Sequence, residues 1–279
     1  MRVLEPDHRQ RSPEINGPLH LEQVRDGLIT KRLGGRLHYF AEIDSTNVYA
    51  KRLAEQGAGE GEVIIAETQT RGRGRLGRHW VSPAFLNLYF SVILRPRLAP
   101  AQAPQITLMA AVALADTVTL FLGRPPAIKW PNDILVGGKK LAGILTESSC
   151  SSQAIEFVIL GIGANLNYPV ALMPEGIRKR ATSMIALTQR PINREAFARR
   201  LIQDLDRCYG ELQEEGFGSL ALRWEALFGL RGKRVRAEAT DQSVMGRARG
   251  LDRDGALLVE DDEGIRHRIV AGDVVLLEE

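Results

Sequence analysis

Arginine and glycine alternate through the segment Arg71-Gly72-Arg73-Gly74-Arg75-Leu76-Gly77-Arg78. Glycine lets a backbone approach a ligand closely, and each guanidinium presents a fork of donors that matches phosphate or carboxylate oxygens. The pattern therefore predicts a loop that wraps a polyphosphate. It is not a Walker A loop, because the Gly-Lys-Ser/Thr ending is missing. The alternative interpretation is an exposed flexible loop or an RNA-binding Arg/Gly stretch.

A second candidate site is the pair of segments Lys129-Trp130-Pro131-Asn132-Asp133 and Lys139-Lys140-Leu141-Ala142-Gly143. Asp133 could hold Mg²⁺ through water or accept a proton from an incoming amine. Lys140 could direct a cation at a reacting carboxylate. The alternative is an ordinary hairpin with an Asx turn and solvent-facing lysines.

Two weaker motifs flank these segments. Asp44-Ser45-Thr46-Asn47 is typical of a helix N-cap, and a helix N-terminus also offers backbone N–H groups to a polar ligand. Gly161-Ile162-Gly163-Ala164-Asn165 follows a branched apolar run, and the Asn165 carboxamide matches the donor–acceptor edge of adenine. A simple turn at a strand end is the alternative for the second motif.

The elements that must position these residues follow from periodicity and turn residues. Strands are predicted over 37–43, 63–67, 86–94, 127–130, 134–136, 140–148 and 156–162. Helices are predicted over 19–33, 47–56, 106–122, 194–214 and 219–227. Residues 69–79 are predicted to form a loop, 168–190 a mobile loop, and 1–15 a disordered start.

After about residue 230 the pattern changes to short alternating strands that are separated by Asp/Gly turns. They are predicted over 235–238, 246–251, 256–260, 266–270 and 274–277, which indicates a small β-barrel. Mixed strands and helices followed by a strand-only tail favour an α+β class. We predict an N-terminal segment 1–36, a main catalytic and ligand-binding domain 37–230 and a barrel 231–279.

Composition limits the class of protein. The 279 residues carry a net charge of only +3, so the overall charge of the chain is not expected to bind nucleic acid. Two cysteines cannot form a disulfide framework or a four-cysteine zinc site. The charged N-terminus lacks a secretory signal, and the apolar run 106–122 is interrupted by Asp116. We therefore expect a cytoplasmic protein with no membrane span.

In order and spacing, all four motifs together with Gln69 resemble those of biotin–protein ligases, and the resemblance extends from about residue 37 to 277. It implies a catalytic domain related to class II aminoacyl-tRNA synthetases, with a mixed sheet, and a C-terminal SH3-like barrel. It implies ATP and biotin as substrates, Mg²⁺, and a biotin carboxyl carrier protein as acceptor.

The resemblance also implies roles for individual residues. The biotin site would comprise Ser45, Thr46, Asn47, Gln69, Gly72, Arg73, Arg75, Lys140 and Gly143. The ATP site would comprise Arg73, Arg75, Arg78, Trp80, Lys129, Asn132 and Asn165. The catalytic residues would be Arg73, Arg75, Lys140 and Asp133, and Asp133 is also the candidate metal ligand.

Two departures from the family pattern matter. Some relatives carry an N-terminal DNA-binding domain of roughly sixty residues, whereas about 36 precede the match here, so no DNA binding is expected. Segment 168–190 lacks the tryptophan that covers adenine in some relatives. The rival interpretations are a lipoate–protein ligase and a nucleic-acid-binding protein that uses the Arg/Gly loop. A monomer and a homodimer are both compatible with the sequence.

Overall fold

A seven-stranded mixed sheet forms the centre of the molecule, in a computed structural model that describes residues 17–238 and 243–277. The strands are β1 (Leu37–Ile43), β2 (Val63–Gln69), β3 (Leu88–Leu94), β4 (Ala127–Lys129), β5 (Asp133–Val136), β6 (Lys139–Cys150) and β7 (Ile155–Ala164). Their spatial order is β1-β2-β3-β7-β6-β5-β4, with β1 and β2 parallel and the other neighbours antiparallel. The predicted α+β class is confirmed.

Helices cover both faces of this sheet. They are α1 (Leu21–Arg25), α2 (Thr46–Glu55), α3 (Pro104–Leu122), α4 (Glu175–Arg178), α5 (Met184–Thr188), α6 (Arg194–Glu214) and α7 (Gly218–Ala226). Helix α2 packs on one face against β2, β3 and β7, where Ala50 and Ala54 meet Ile64, Ile93 and Ile159. Helices α3, α6 and α7 pack together on the other face and form the main core. The predicted bounds of α6, 194–214, are confirmed.

Helix α3 is the core helix that the sequence predicts. By length and composition the segment Pro100–Leu122 could cross a membrane, since it contains an 18-residue window with a mean hydropathy of 1.7, but 72% of that window is buried inside the protein. Its apolar residues therefore find their partners in α6, α7 and the sheet. The helix ends at Gly123, whose φ of +75° suits a left-handed C-cap.

The N-terminal helix is much shorter than the predicted range 19–33. Helix α1 ends at Arg25, and Gly27 follows with a φ of +72°. The Asp206 carboxylate on α6 then accepts the backbone N–H groups of Lys31, Arg32 and Leu33 at 2.7–2.9 Å. A distant side chain thus replaces the helical hydrogen bonds here, which periodicity could not reveal. The prediction for 1–15 lies outside the described residues.

Residues 168–190 also differ from the predicted mobile loop. They contain α4 and α5, and Tyr168, Met173 and Ala181 form a small buried cluster. The segment is hydrogen-bonded to the start of β6, where Lys140 N donates to the Arg180 carbonyl at 2.7 Å. The prediction of a mobile loop is wrong here, because charged residues separate the members of this apolar cluster along the sequence and so mask its pattern.

The C-terminal part is the predicted small barrel. Its antiparallel strands are β8 (Arg234–Glu238), β9 (Ser243–Leu251), β10 (Leu257–Glu260), β11 (Arg266–Ile269) and β12 (Asp273–Leu276), in the order β11-β10-β9-β8-β12. Buried and exposed residues alternate along β9, as expected for a strand with one face in a core. The start of β12 lies against loops of the main domain, since Gly272 contacts Arg75 and Asp273 contacts Arg78.

Candidate active site

The candidate residues surround a cleft at the N-terminal end of α2, against β6 and β7. The cleft encloses about 470 Å³ of empty space, its open mouth included. It is lined by Ser45, Thr46, Asn47, Gln69, Arg73, Gly74, Arg75, Trp80, Phe90, Asn132, Lys140, Gly143, Ile144, Leu145, Gly161, Ile162 and Gly163. Eight of the nine residues predicted to bind biotin are in this lining, and Gly72 is the exception.

One wall of the cleft is a row of hydrogen-bonded polar side chains. Thr46 N, in the first turn of α2, donates to Gln69 Oε1 at 2.9 Å. Gln69 Nε2 donates to Ser82 Oγ at 3.1 Å. Ser91 Oγ lies 2.8 Å from Thr46 Oγ1 and 2.7 Å from Asn47 Oδ1. Held in this way, the wall offers fixed donors and acceptors that suit a small neutral amide-like group.

Glycines form the floor of the cleft because other groups come too close for a side chain. A Cβ at Gly161 would lie 2.0 Å from Asn47 Oδ1, and one at Gly163 would lie 2.5 Å from the Trp80 ring. The Trp80 indole therefore packs directly against Gly163 of β7. Its Nε1 is buried and lacks a hydrogen-bond partner within residues 17–238 and 243–277. An acceptor atom of a ligand could supply the missing hydrogen bond.

Gly72 supports the Arg/Gly loop and does not line the cleft. A Cβ on it would lie 2.4 Å from the Trp80 carbonyl, and Trp80 N donates to the Gly72 carbonyl at 3.0 Å. Arg73 and His79 form a further antiparallel bridge. Residues 72–80 thus form a loop that is closed at its base, with its arginines on the turn between.

Arg73 enters the cleft as half of an ion pair. Its Nη1 lies 2.9 Å from Glu147 Oε1, on β6. The other oxygen of the same carboxylate accepts from Asn47 Nδ2 at 2.8 Å. The predicted phosphate-binding arginine and the predicted biotin-binding asparagine therefore share one partner.

Arg75 connects the cleft to the barrel. Its Nη1 donates to Asn132 Oδ1 at 3.3 Å and its Nη2 to the Gly272 carbonyl at 2.8 Å. Burial lowers the pKa of this guanidinium, while the carboxylates of Asp273 and Asp133 oppose that effect. An arginine nevertheless stays charged at neutral pH. Arg75 also borders a second groove between α3, β6 and the barrel, of about 820 Å³.

Arg78 and Lys129 lie beside the cleft, where both contact the barrel residue Asp273. Arg78 Nη2 is 2.7 Å and Lys129 Nζ is 3.8 Å from its carboxylate oxygens. Burial alone would raise the pKa of Asp273, but the Arg78 hydrogen bond and the Lys129 charge outweigh burial and leave this pKa below its usual range. The carboxylate is therefore ionised at neutral pH and neutralises two predicted ATP-binding cations.

Lys140 and Asp133 form a tight pair at the edge of the cleft. Lys140 Nζ lies 2.7 Å from Asp133 Oδ1 and 5.4 Å from the centroid of the Trp80 ring. The contact is an ion pair without hydrogen-bond geometry, since Asp133 Oδ1 has no hydrogen-bond partner within the described residues. The carboxylate and the indole both attract the ammonium group to this place. Residues 17–238 and 243–277 contain no group of three or more His, Cys, Asp or Glu that could hold a metal ion. A metal at Asp133 would thus compete with Lys140, and the described residues could not supply two further ligands of these types.

Both predicted ATP-binding asparagines have structural partners. Asn132 Nδ2 donates to the Ile144 carbonyl at 2.7 Å, which leaves its Oδ1 for Arg75. Asn165 is 7% exposed, and its Nδ2 donates to the Thr182 carbonyl at 3.0 Å. An adenine at Asn165 would therefore have to share or replace this contact.

Glu147, Ser91, Ser82 and Asp273 are site residues that the sequence analysis missed. Glu147 lies in the second half of β6, where residues 145–150 are all partly or fully exposed, so its position looks like that of a solvated strand residue. Asp273 follows Gly272 in the barrel, almost two hundred residues from the loop that it contacts. Contacts over such separations leave no local sequence signal.

The site agrees with what the chain matches among known proteins. Residues 39–165 match the biotin/lipoate A/B protein ligase family, and residues 231–277 match the biotin protein ligase C terminal domain. The biotin--[acetyl-CoA-carboxylase] ligase of Mycobacterium tuberculosis is 39% identical over 271 residues, which cover 94% of this chain and 97% of the relative. The chain belongs to the biotin protein ligase family.

Other members of the biotin protein ligase family support the same assignment. The bifunctional ligase/repressor BirA of Bacillus subtilis is 36% identical over 260 residues, which cover 93% of this chain and 80% of the relative. The biotin protein ligase of Aquifex aeolicus, solved in complex with biotin and ATP, superposes with a TM-score of 0.76 at 28% identity. That likeness covers 88% of this chain and all of the Aquifex chain. The predicted synthetase-like domain and SH3-like barrel are confirmed.

Proposed function

We propose that this chain is an ATP-dependent biotin–protein ligase that forms biotinyl-5′-AMP and transfers biotin to a lysine of an acceptor protein. The observation that carries the proposal is the convergence of Arg73, Arg75 and Lys140 on one cleft with a fixed polar wall. The wall suits the ureido ring of biotin, and the cations suit a carboxylate next to phosphates. Membership of the biotin protein ligase family supports both halves of this assignment.

In the first step the biotin carboxylate attacks the α-phosphorus of ATP, and the bond to the β-phosphate oxygen breaks, so that pyrophosphate leaves. A free carboxylate is a poor acyl donor, and AMP supplies the leaving group that it lacks. Negative charge shifts onto phosphate oxygens during this step. Arg73, Arg75 and Lys140 border the cleft and would stabilise that charge. Ser45, Thr46, Asn47 and Gln69 would hold the ring, with Gly143 beside the acyl chain.

In the second step a neutral lysine amine of the acceptor attacks the acyl carbonyl and expels AMP. The reference pKa of lysine is about 10.4, so the amine must lose a proton near the site. We propose Asp133 as the group that guides this proton. Asp133 lies 2.7 Å from Lys140, so the two residues can act as a pair in both steps. The Lys140 ammonium would contact the acyl phosphate, and the Asp133 carboxylate would face the incoming amine.

The loop at residues 70–78 should change its dynamics when substrates bind. The mixed anhydride hydrolyses in open water, so the site must exclude solvent between the two steps. We expect the amides of this loop to exchange hydrogen more slowly with biotin and ATP than without them, as measured by mass spectrometry. Equal exchange in both states would contradict the closure.

We propose that Mg²⁺ arrives with the nucleotide. Magnesium usually keeps several waters and binds one or two carboxylates together with substrate phosphates. Asp133 is the candidate carboxylate, but its contact with Lys140 makes it a weak one. The charge stabilisation above is therefore assigned to the arginines and Lys140 alone.

The family leaves open the acceptor protein, the location and the domain bounds of this chain. We propose a biotin carboxyl carrier protein as acceptor, a cytoplasmic location, no DNA or membrane binding, and the domain division 1–36, 37–230 and 231–279.

The match of residues 231–277 to the biotin protein ligase C terminal domain favours biotin over lipoate as the substrate. A nucleic-acid-binding role is disfavoured because the net charge of the 279 residues is only +3. Arg78, Trp80, Lys129, Asn132 and Asn165 complete the proposed ATP site.

The decisive experiment mixes the protein with ATP, magnesium, biotin and a carboxylase carrier domain, and measures the mass of the carrier. We expect one biotin per carrier, and no gain in mass when lipoate replaces biotin. An unchanged carrier, or a gain with lipoate alone, would overturn the proposal.

The glycine floor gives a further prediction. Changing Gly161→Ala places a methyl carbon 2.0 Å from Asn47 Oδ1, so the Asn47 side chain must move away from its place in the polar wall. We expect biotin affinity to fall at least about tenfold, or roughly 1.4 kcal/mol, in calorimetry. The matched control is Gly176→Ala, where a Cβ meets nothing within 4 Å. Unchanged affinity in Gly161→Ala would show that Asn47 does not bind biotin.

A further inference from the structure

We propose that Glu147 is a positioning residue, which orients Arg73 and Asn47 together and so couples the Arg/Gly loop to the polar wall. This inference rests on the proposed function and adds to it a residue that contacts neither substrate. Glu147 lies on β6, opposite Ile159 of β7, and is absent from the cleft lining. It therefore acts only through its neighbours.

Both carboxylate oxygens of Glu147 are engaged, each by a different part of the site. Oε1 lies 2.9 Å from Arg73 Nη1, and Oε2 accepts from Asn47 Nδ2 at 2.8 Å. The Arg73 side chain is 48% exposed and Glu147 is 25% exposed. A long, half-exposed arginine loses considerable rotamer freedom when it is ordered, so a partly buried anchor decides where its guanidinium points.

The contacts of Glu147 continue as a chain of hydrogen bonds through the cleft wall. Asn47 Oδ1 lies 2.7 Å from Ser91 Oγ, which lies 2.8 Å from Thr46 Oγ1. Thr46 N and Gln69 Oε1 are 2.9 Å apart, and Gln69 Nε2 lies 3.1 Å from Ser82 Oγ.

The far end of the chain returns to the loop in which it began, because Ser82 Oγ donates to the Trp80 carbonyl at 3.1 Å. Trp80 is one end of the loop 72–80, and Arg73 lies next to the other end, Gly72, whose carbonyl accepts a hydrogen bond from Trp80 N. The polar wall and both ends of the loop are thus one connected network. A substrate that fixes the wall also fixes Arg73, through Glu147.

Electrostatics separates this role from direct phosphate binding. A carboxylate near the phosphates repels them, so Glu147 cannot help nucleotide binding through its own charge. Glu147 instead contributes by orienting the Arg73 guanidinium. The ion pair uses only Nη1 of Arg73, which leaves the other N–H donors of that guanidinium for a ligand. Removing the carboxylate should therefore lower kcat while the KM for ATP stays level or falls.

The test compares Glu147→Gln with wild type in biotin-dependent pyrophosphate release. We expect kcat to fall about 10- to 100-fold, because a misplacement of about 1 Å can cost as much as 100-fold in rate. Glu147→Asp keeps the charge but is shorter, and should recover part of the rate. The control is Glu156→Gln on β7, whose carboxylate binds Ser149, outside the cleft lining, and which should behave as wild type.

A double-mutant cycle shows whether Glu147 acts through Arg73. If it does, Glu147→Gln will lower kcat by a smaller factor in the Arg73→Ala background than in the wild-type background, because only Asn47 is then left to misplace. Fully additive losses, or an unchanged kcat with a lowered melting temperature in Glu147→Gln, would overturn the proposal.

A measurement without substrates keeps this test separate from the proposed function. Amides 72–80 should exchange hydrogen faster in ligand-free Glu147→Gln than in wild type or Glu156→Gln. Equal exchange in all three proteins would overturn the positioning role. A wild-type protein without biotin-dependent pyrophosphate release would instead overturn the proposed function and leave the exchange result standing.

Discussion

Replacing Arg75 by alanine is expected to produce an enzyme that makes biotinyl-5′-AMP but cannot retain it. Arg75 borders the cleft, and its guanidinium connects Asn132 to the Gly272 carbonyl of the barrel. A truncated side chain would open the cleft towards the neighbouring groove, which Arg75 also borders. The acyl-adenylate would then escape and react with any accessible lysine.

We expect the fraction of intermediate retained in a filter-binding assay to fall at least about tenfold, which corresponds to roughly 1.4 kcal/mol. Lysines of an unrelated bystander protein should become biotinylated. Arg71→Ala is the matched control, because Arg71 belongs to the same loop but is exposed and outside the cleft lining. Retention equal to wild type in Arg75→Ala would remove this arginine from the proposed mechanism.

Replacing Lys140 by alanine is expected to stop the first step. Lys140 is the cation that Asp133 and Trp80 hold at the edge of the cleft, so it is already oriented before substrates bind. Loss of one preorganised donor at developing negative charge typically costs about 100- to 1,000-fold in rate. The substitution also leaves Asp133 unpaired and adds a repulsive carboxylate near the phosphates.

Exchange of labelled pyrophosphate into ATP, with biotin present, measures this step directly. We expect a fall of about 100- to 1,000-fold in Lys140→Ala. The neighbouring Lys139→Ala should keep its rate, because Lys139 is exposed and does not line the cleft. If both variants exchanged pyrophosphate at the wild-type rate, another cation would have to neutralise the carboxylate and phosphates.

Local patterns sufficed where a segment's own residues determine its structure. The bounds of β1 and α6 follow from periodicity, and Gly123 and the glycine turn 137–138 end their elements as expected. The four motifs also indicated most of the cleft lining, since each combines unusual residue types at short spacing.

Long-range contacts account for what the sequence did not reveal. Residues 31–33 are held by the carboxylate of Asp206, which lies more than 170 residues later in the sequence. Glu147 and Asp273 acquire their importance only when β6 and the barrel meet the Arg/Gly loop. Such pairings are set by tertiary packing, which no local pattern encodes.

The position of Asp273 has a consequence for selectivity among anions. If ATP takes Arg78 and Lys129, as we propose, it must displace a carboxylate that is already attached to the protein. A tethered competitor of this kind acts at an effective concentration of about millimolar or more. Singly charged anions of the cell would bind too weakly to displace Asp273, whereas the higher charge of a triphosphate would be enough to displace it. Asp273 of the barrel would then keep weakly binding anions away from Arg78 and Lys129 until a nucleotide binds.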